Sequence, residues 1–176
     1  MTTELPPTPR DEKDWTWVLE RRCDECGFSA MPLGDVPDRV RASIEPIRRA
    51  LSQPDAATRT KGEDVWSTVE YACHIRDVCR VFNVRVHAML ADDGTRFESW
   101  DANDAAIDGH YSIADPLRVA EEYAETAETI AATFESVPEA QVHNRGIRGD
   151  GMAFTVSTLA SYFAHEIVHH QHDIER

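Results

Sequence analysis

Apolar residues recur at helical spacing along four long stretches of the chain, separated by polar segments rich in proline, glycine and aspartate. The first stretch runs roughly from Val36 to Leu51. Asp35 is placed to cap it, Pro37 is tolerated in its first turn, and Pro46 is expected to kink it. The second runs roughly from Ser67 to Ala91. Ser67-Thr68-Val69-Glu70 has the spacing of a capping box, and Val69, Cys73, Val78, Phe82, Val86 and Met89 follow on one stripe. The third opens at Asp115-Pro116, runs to about Ser136 and is anchored by Leu117, Tyr123, Ile130 and Phe134. The fourth opens near Thr155 or Ser157 and runs close to the last residue.

The connections carry less pattern. Thr95 to Ser112 is polar, Asp-rich and too long for a turn, which suggests a lid or a linker, with Trp100 as its anchor. Gln141 to Phe154 holds three glycines and reads as a loop or a short hairpin. Strand-like alternation is otherwise nearly absent, so the predicted fold is all-α, a four-helix bundle. The 176 residues fit a single domain: an N-terminal arm over residues 1–34 carrying a CxxC, then the bundle over 35–176.

Composition narrows the setting. The first 14 residues are polar, carry Pro6, Pro7 and Pro9, and lack the apolar run of a secretory signal, so a disordered or wrapping arm is expected. No stretch approaches the ~20 apolar residues of a membrane span. A formal charge of −14 argues against nucleic acid and anionic membranes as partners. A cytoplasmic, reducing compartment is expected, and Cys73 and Cys79 fit as small buried residues within a helical stripe. Cys23-x-x-Cys26 is half of a zinc site, a redox pair, or a tight turn closed by Gly27. Apolar surface on an outer helix would support a homodimer.

The chemistry concentrates in histidines. His165 and His169 are four apart near the end of the fourth helix, which stacks their Cβ atoms about 5–6 Å apart on one face. His74 is the best third ligand, because it interrupts an apolar stripe where an unpaired polar group is costly. His87, His110 and His143 are weaker candidates. His170 is expected to point away as a surface or interface residue, His172 is a spare ligand, and Asp173 is placed to accept from an imidazole N–H. His165-Glu166-Ile167-Val168-His169 also matches H-E-x-x-H, in which two histidines hold zinc and the glutamate is a general base. Only seven residues follow, leaving no room for a downstream third ligand.

Trp66 to Val78, with His74 inside it, resembles the first metal-bearing segment of DinB-like proteins of the actinobacterial branch. Phe154 to Leu159, continuing through His165 to Asp173, resembles the second. Trp17-Val18-Leu19-Glu20 with Cys23, Cys26, Gly27 and Phe28, and the Trp100-Asp101 loop, resemble that branch as well. The resemblance implies an up-down-down-up four-helix bundle holding one divalent ion, zinc or nickel, on His74, His165 and His169. Bacillithiol and mycothiol S-transferases share this fold, as does a mycothiol-dependent maleylpyruvate isomerase in which a glutamate takes the position of His165. The all-histidine set therefore does not imply isomerase activity.

Three functions follow as expectations. Nitrogen ligands that leave a position open would let a low-molecular-weight thiol bind, lose its proton and attack an electrophile, as in a mycothiol-type S-transferase or detoxification enzyme. Metal-activated water would give a hydrolase; Glu166, about 100° round the helix from His165, is poorly placed as its base. A closed shell would make the protein a non-enzymatic, metal-binding stress-response module.

Overall fold

The computed structural model describes residues 4–11 and 13–176; the first three positions of the expected arm, and position 12, lie outside the described residues. Five helices form: α1 (Val36–Leu51), α2 (Thr68–Ala91), α3 (Ala102–Asp108), α4 (Pro116–Glu135) and α5 (Val156–Glu175). The starts follow local chemistry. The Ser67 hydroxyl accepts from the Glu70 backbone N–H while the Glu70 carboxylate accepts from the Ser67 N–H, a reciprocal cap for α2. Asp115 caps α4 ahead of Pro116, and Thr155 with Thr158 closes the start of α5. Pro46 lies inside α1 without ending it.

The four long helices form a ring in which α1 and α2 each touch both α4 and α5. Side-chain pairs give their directions. Arg76 meets Glu122 and Asn83 meets Thr133, so α2 and α4 run parallel. Ser43 meets Tyr123 and Arg41 meets Glu128, so α1 and α4 are antiparallel. Phe82 packs on Phe163 while His74 faces His170, so α2 and α5 are antiparallel. The result is the up-down-down-up arrangement. Phe82, Phe134 and Phe163 pack in its core, with ring centroids 5.4–5.5 Å apart. Among the described residues, no helix is long and apolar enough to cross a membrane.

Two connecting segments add a small sheet to the helical bundle, one of them the hairpin that the glycine-rich stretch allowed. The stretch from Thr95 is ordered: it contains β1 (Thr95–Phe97), then α3 capped by Asp101, then a 3-10 turn at Tyr111–Ile113. The glycine-rich segment is a hairpin of β2 (Arg145–Arg148) and β3 (Ala153–Thr155), and β1 pairs with β2 in parallel, Thr95 opposite Gly146. Gly146 is needed there, since a Cβ would sit 2.5 Å from the Phe97 ring and 2.8 Å from Met89. The protein is thus a mostly helical bundle with a three-stranded sheet at one end.

The N-terminal segment wraps the bundle. Leu5 N–H donates to Ser112, Arg59 donates to the Pro6 carbonyl, and Asn103 donates to the Thr8 carbonyl. Val18, Cys23 and Phe28 are buried in the main core.

Candidate metal centre

A cavity of about 340 Å³ opens between α2, α5, the N-terminal segment and the Trp100 loop. His74 reaches it from the second turn of α2, and His165, Glu166, His169 and His170 reach it from α5. Trp15, Trp66 and Trp100 line it too. Trp100 stacks on His74 with ring centroids 5.6 Å apart, and Trp15 packs 4.6 Å from His169.

The ligand atoms fall into two converging sets. One is His74, Glu166 and His170; the other is Cys23, Cys26, His165 and His169. Within each, all the potential ligand atoms lie within 4.8 Å of one another. All three histidines expected to share an ion line one cavity, but they are divided between the sets: His165 and His169 converge with the two thiols, and His74 with the next pair along α5. A helix turns about 100° per residue, so residues 165 and 169 look to one side and 166 and 170 to the other.

Glu166 and His170 are therefore corrections. His170 does not point away: its ring lies 4.6 Å from that of His74 at a right angle, and its Nδ1 is 3.1 Å from Asp173. Glu166 Oε2 is 3.5 Å from His74 Nε2 and 3.7 Å from His170 Nε2. The signal was present in the sequence, as a second pair spaced by four within the same run. His87, His110 and His143 are exposed and stand outside both sets.

Three of the four imidazoles are held in the neutral form that ligates a metal, and the fourth, His170, would give up a proton on binding one. Burial pushes the His74 and His169 imidazoles below their ordinary range and takes His165 down to about 4, leaving neutral rings with free lone pairs. Burial opposes charge on His170 as well, but Asp173 and Glu166 outweigh it and raise that ring to about 9. Burial would raise the Glu166 carboxyl, yet His170 and His74 hold it well below the carboxylate range.

Both ring nitrogens of His74 and of His165 are buried without a hydrogen-bond partner among the described residues. Leaving such groups unpaired costs about 1–3 kcal/mol each, and one divalent ion per set would satisfy one nitrogen of each ring. The two sets thus fit metal on their own geometry. His74, Glu166 and His170 offer two nitrogens and an oxygen, a donor set used by catalytic zinc with a position left open.

Cys73 and Cys79 are fully buried, and burial raises each thiol to about 12, so neither is a nucleophile. Arg76 and Asp77, adjacent to the site in sequence, are taken up structurally: Arg76 bonds Asp77 at 2.9 Å and Glu122 at 2.7 Å, and Asp77 accepts from Tyr111. Arg85 is different. It is 7% exposed, lines the cavity and donates to the Glu98 carbonyl at 3.1 Å rather than to a carboxylate. Burial, then the neighbouring Arg148 charge, lowers it to about 10.

A family model for the DinB superfamily matches residues 33–174. No curated protein matches the chain. Among solved structures, YfiT from Bacillus subtilis, described as a probable metal-dependent hydrolase with an unusual four-helix bundle topology, is similar at 16% identity and a TM-score of 0.63 over 82% of each chain. A mycothiol-dependent maleylpyruvate isomerase is similar at 12% identity and a TM-score of 0.62. That match covers 82% of this chain and 61% of the isomerase.

Proposed function

The chain belongs to the DinB superfamily, and from that premise we propose that it is a metal-dependent enzyme joining a low-molecular-weight thiol to a small anionic electrophile. The observation that carries the reading is the convergence of His74, Glu166 and His170 on a cavity large enough for a small organic molecule. Their task is to hold a divalent ion, zinc or nickel, whose chemistry is to acidify a bound thiol near neutral pH. The thiol sulfur then bonds to an electrophilic carbon, the leaving group departs with its electron pair, and the thiol proton passes to solvent.

The other cavity residues favour a thiol over water. With Glu166 engaged as a ligand, the other cavity carboxylates among the described residues are Asp11, Asp101 and Asp150. Asp11 accepts from the Trp15 indole at 2.8 Å, Asp101 caps α3 and pairs with Arg10, and Asp150 pairs with Arg148 at 2.7 Å. Each of these three is already engaged, and a thiol with an ordinary pKa of about 8.5 needs little help from a base. Trp66 and Trp100 supply an apolar wall, and Arg85 beside Arg148 supplies positive charge to bind an anionic group on the electrophile.

The test is thiol consumption by the zinc- or nickel-loaded protein against a panel of low-molecular-weight thiols, with carboxylate-bearing electrophiles as acceptors. Loss of thiol together with conjugate formation is expected. Turnover of esters or amides without any thiol would favour the hydrolase reading, and no thiol consumption with either metal would exclude transfer.

A further inference from the structure

We propose that Cys23, Cys26, His165 and His169 form a second, separate metal site that takes zinc in a closed tetrahedral shell and fastens the N-terminal segment to α5. It does not depend on the thiol-transfer reading.

The two halves come from opposite ends of the chain. Cys23 and His169 are 146 residues apart, yet Cys23 Sγ lies 3.8 Å from His169 Nδ1. The cysteine half is a tight turn: Gly27 N–H donates to the Cys23 carbonyl at 2.9 Å and Cys23 N–H to the Phe28 carbonyl at 2.8 Å. Gly27 closes it at φ 76°, a backbone angle that other residues rarely adopt. That turn brings both thiols to the side facing α5. The histidine half is one helical face, with imidazole centroids 5.1 Å apart.

Dimensions and chemistry agree with zinc. Zn–S near 2.3 Å and Zn–N near 2.0–2.1 Å in a tetrahedron place neighbouring ligand atoms about 3.3–3.8 Å apart. The cluster, with all four atoms within 4.8 Å, closes onto that shape with movements of about 1 Å. Two thiolates with two imidazoles select zinc over magnesium or calcium, which take oxygen ligands. His165 is 1% exposed and neither of its nitrogens has a partner among the described residues, so a merely packed histidine here would be left unsatisfied. On His169, Nδ1 faces the thiol, while Nε2 lies 3.7 Å from Glu25 and 3.8 Å from Asp173. Carboxylates behind the far nitrogen are how ligating imidazoles are oriented.

Four protein ligands fill the shell, which makes the site structural rather than catalytic. Phe28 and Trp15 pack against His165 with centroids 5.4 and 5.3 Å away. The consequence reaches the cavity, because Trp15, Asp11 and Lys13 line it and belong to the segment the clamp would secure.

Cobalt in place of zinc reads the two sites apart, since only thiolate ligation gives sulfur-to-metal charge-transfer absorption. The full chain is expected to bind two ions with that absorption. The double variant Cys23→Ser, Cys26→Ser should bind one ion and lack it, and His74→Ala should bind one ion and keep it. Cobalt uptake by the native chain without thiolate absorption would overturn the proposal. So would an unchanged ion count in the cysteine variant. Should that variant fail to fold, maleimide labelling of the native protein decides: zinc should shield Cys23 and Cys26 and a chelator should expose them, whereas equal labelling overturns the site. Absence of thiol transfer with the absorption retained would remove the proposed activity and leave this site standing.

Discussion

His165 and His169 serve one cluster, and Glu166 and His170, one residue further along α5, serve the other. The His74, Glu166, His170 set contains opposite charges and is held together by them: His170 keeps its proton between Glu166 and Asp173. The Cys23, Cys26, His165, His169 set has no such internal pairing for His165, whose nitrogens have no partner among the described residues. Each set nevertheless holds one ring without a hydrogen-bond partner among the described residues, His74 in the first and His165 in the second; what separates them is that three ligands leave a coordination position open and four do not. Metal is expected to matter to chemistry at the first and to architecture at the second.

The largest effect that would test this division is at His74. Replacing His74 with alanine removes the only ligand contributed by α2, and loss of metal activation is expected to cost about 4 kcal/mol in the reaction barrier, about a thousandfold in kcat/KM. Thermal stability should fall less than on chelation of the native protein, because the residue's nitrogens make no hydrogen bond among the described residues. A fall in the melting temperature matching that of the chelated native protein would break the comparison, by showing that the His74 set is the structural one.

A second substitution perturbs the scaffold while touching neither cluster. Glu70 and Arg59 form a buried ion pair at 2.6 Å at the start of α2, and Arg59 also holds the Pro6 and Glu63 carbonyls. Glu70→Gln leaves the buried guanidinium without its counter-charge and is expected to cost about 3–5 kcal/mol of stability. Burial would raise the Glu70 carboxyl, but Arg59 and Ser67 outweigh it and hold it below its ordinary value. A depressed folded pKa gives stability that is fully present above the unfolded value of about 4.3 and is lost as pH falls through the folded one. Urea melts should show the gap between native and variant at pH 7 and its narrowing in acid, with two ions per chain still bound at pH 7. A gap that widened in acid would reverse the sign of the argument.

How much of this division was legible in sequence depends on whether a feature is local. The capping box at Ser67 and Glu70, the Asp115-Pro116 start and the buried stripe of α2 rest on neighbouring residues and were readable. His74 was readable as a polar residue in need of a partner. The register of the ligands on α5 was not. The run from His165 to His170 contains two overlapping pairs spaced by four, and spacing ranks them equally. The choice between them is made by how α5 is rotated against α2 on one side and the N-terminal segment on the other. Cys23-x-x-Cys26 was readable as half a zinc site, a redox pair or a tight turn, and the histidine that Cys23 meets, His169, lies 146 residues away. The hairpin of β2 and β3 was readable from its glycines, but β1 escaped, since a three-residue strand paired from Thr95 to Gly146 carries no alternation of its own.

Arg85 tests the substrate side of the open cluster. Arg85→Gln keeps polarity and much of the length but removes the charge. A hydrogen bond to a charged group contributes about 1.5–3 kcal/mol, so KM for an anionic acceptor should rise about 10- to 100-fold. KM for a neutral acceptor should stay within about twofold, and both ions should remain bound. Equal losses for both acceptors would show Arg85 to be a packing residue, held over Phe82 and Phe97 at 5.2 and 4.8 Å.

The smallest effect is the most discriminating, because it sits where the two clusters meet. Asp173 is 7% exposed, with Oδ2 3.1 Å from His170 Nδ1 and 3.8 Å from His169 Nε2. It stands behind one ligand of each set. Oriented carboxylates behind ligating imidazoles are worth about tenfold or more in metal affinity. Asp173→Asn should therefore weaken both sites by about tenfold, with the cobalt charge-transfer absorption titrating at higher free metal alongside the loss of activity. The nearer contact predicts the larger change at the His74, Glu166, His170 set. A shift in the thiolate absorption alone would assign Asp173 to the clamp. A shift in activity alone would leave Glu25, 3.7 Å from His169 Nε2, as the carboxylate that orients the clamp.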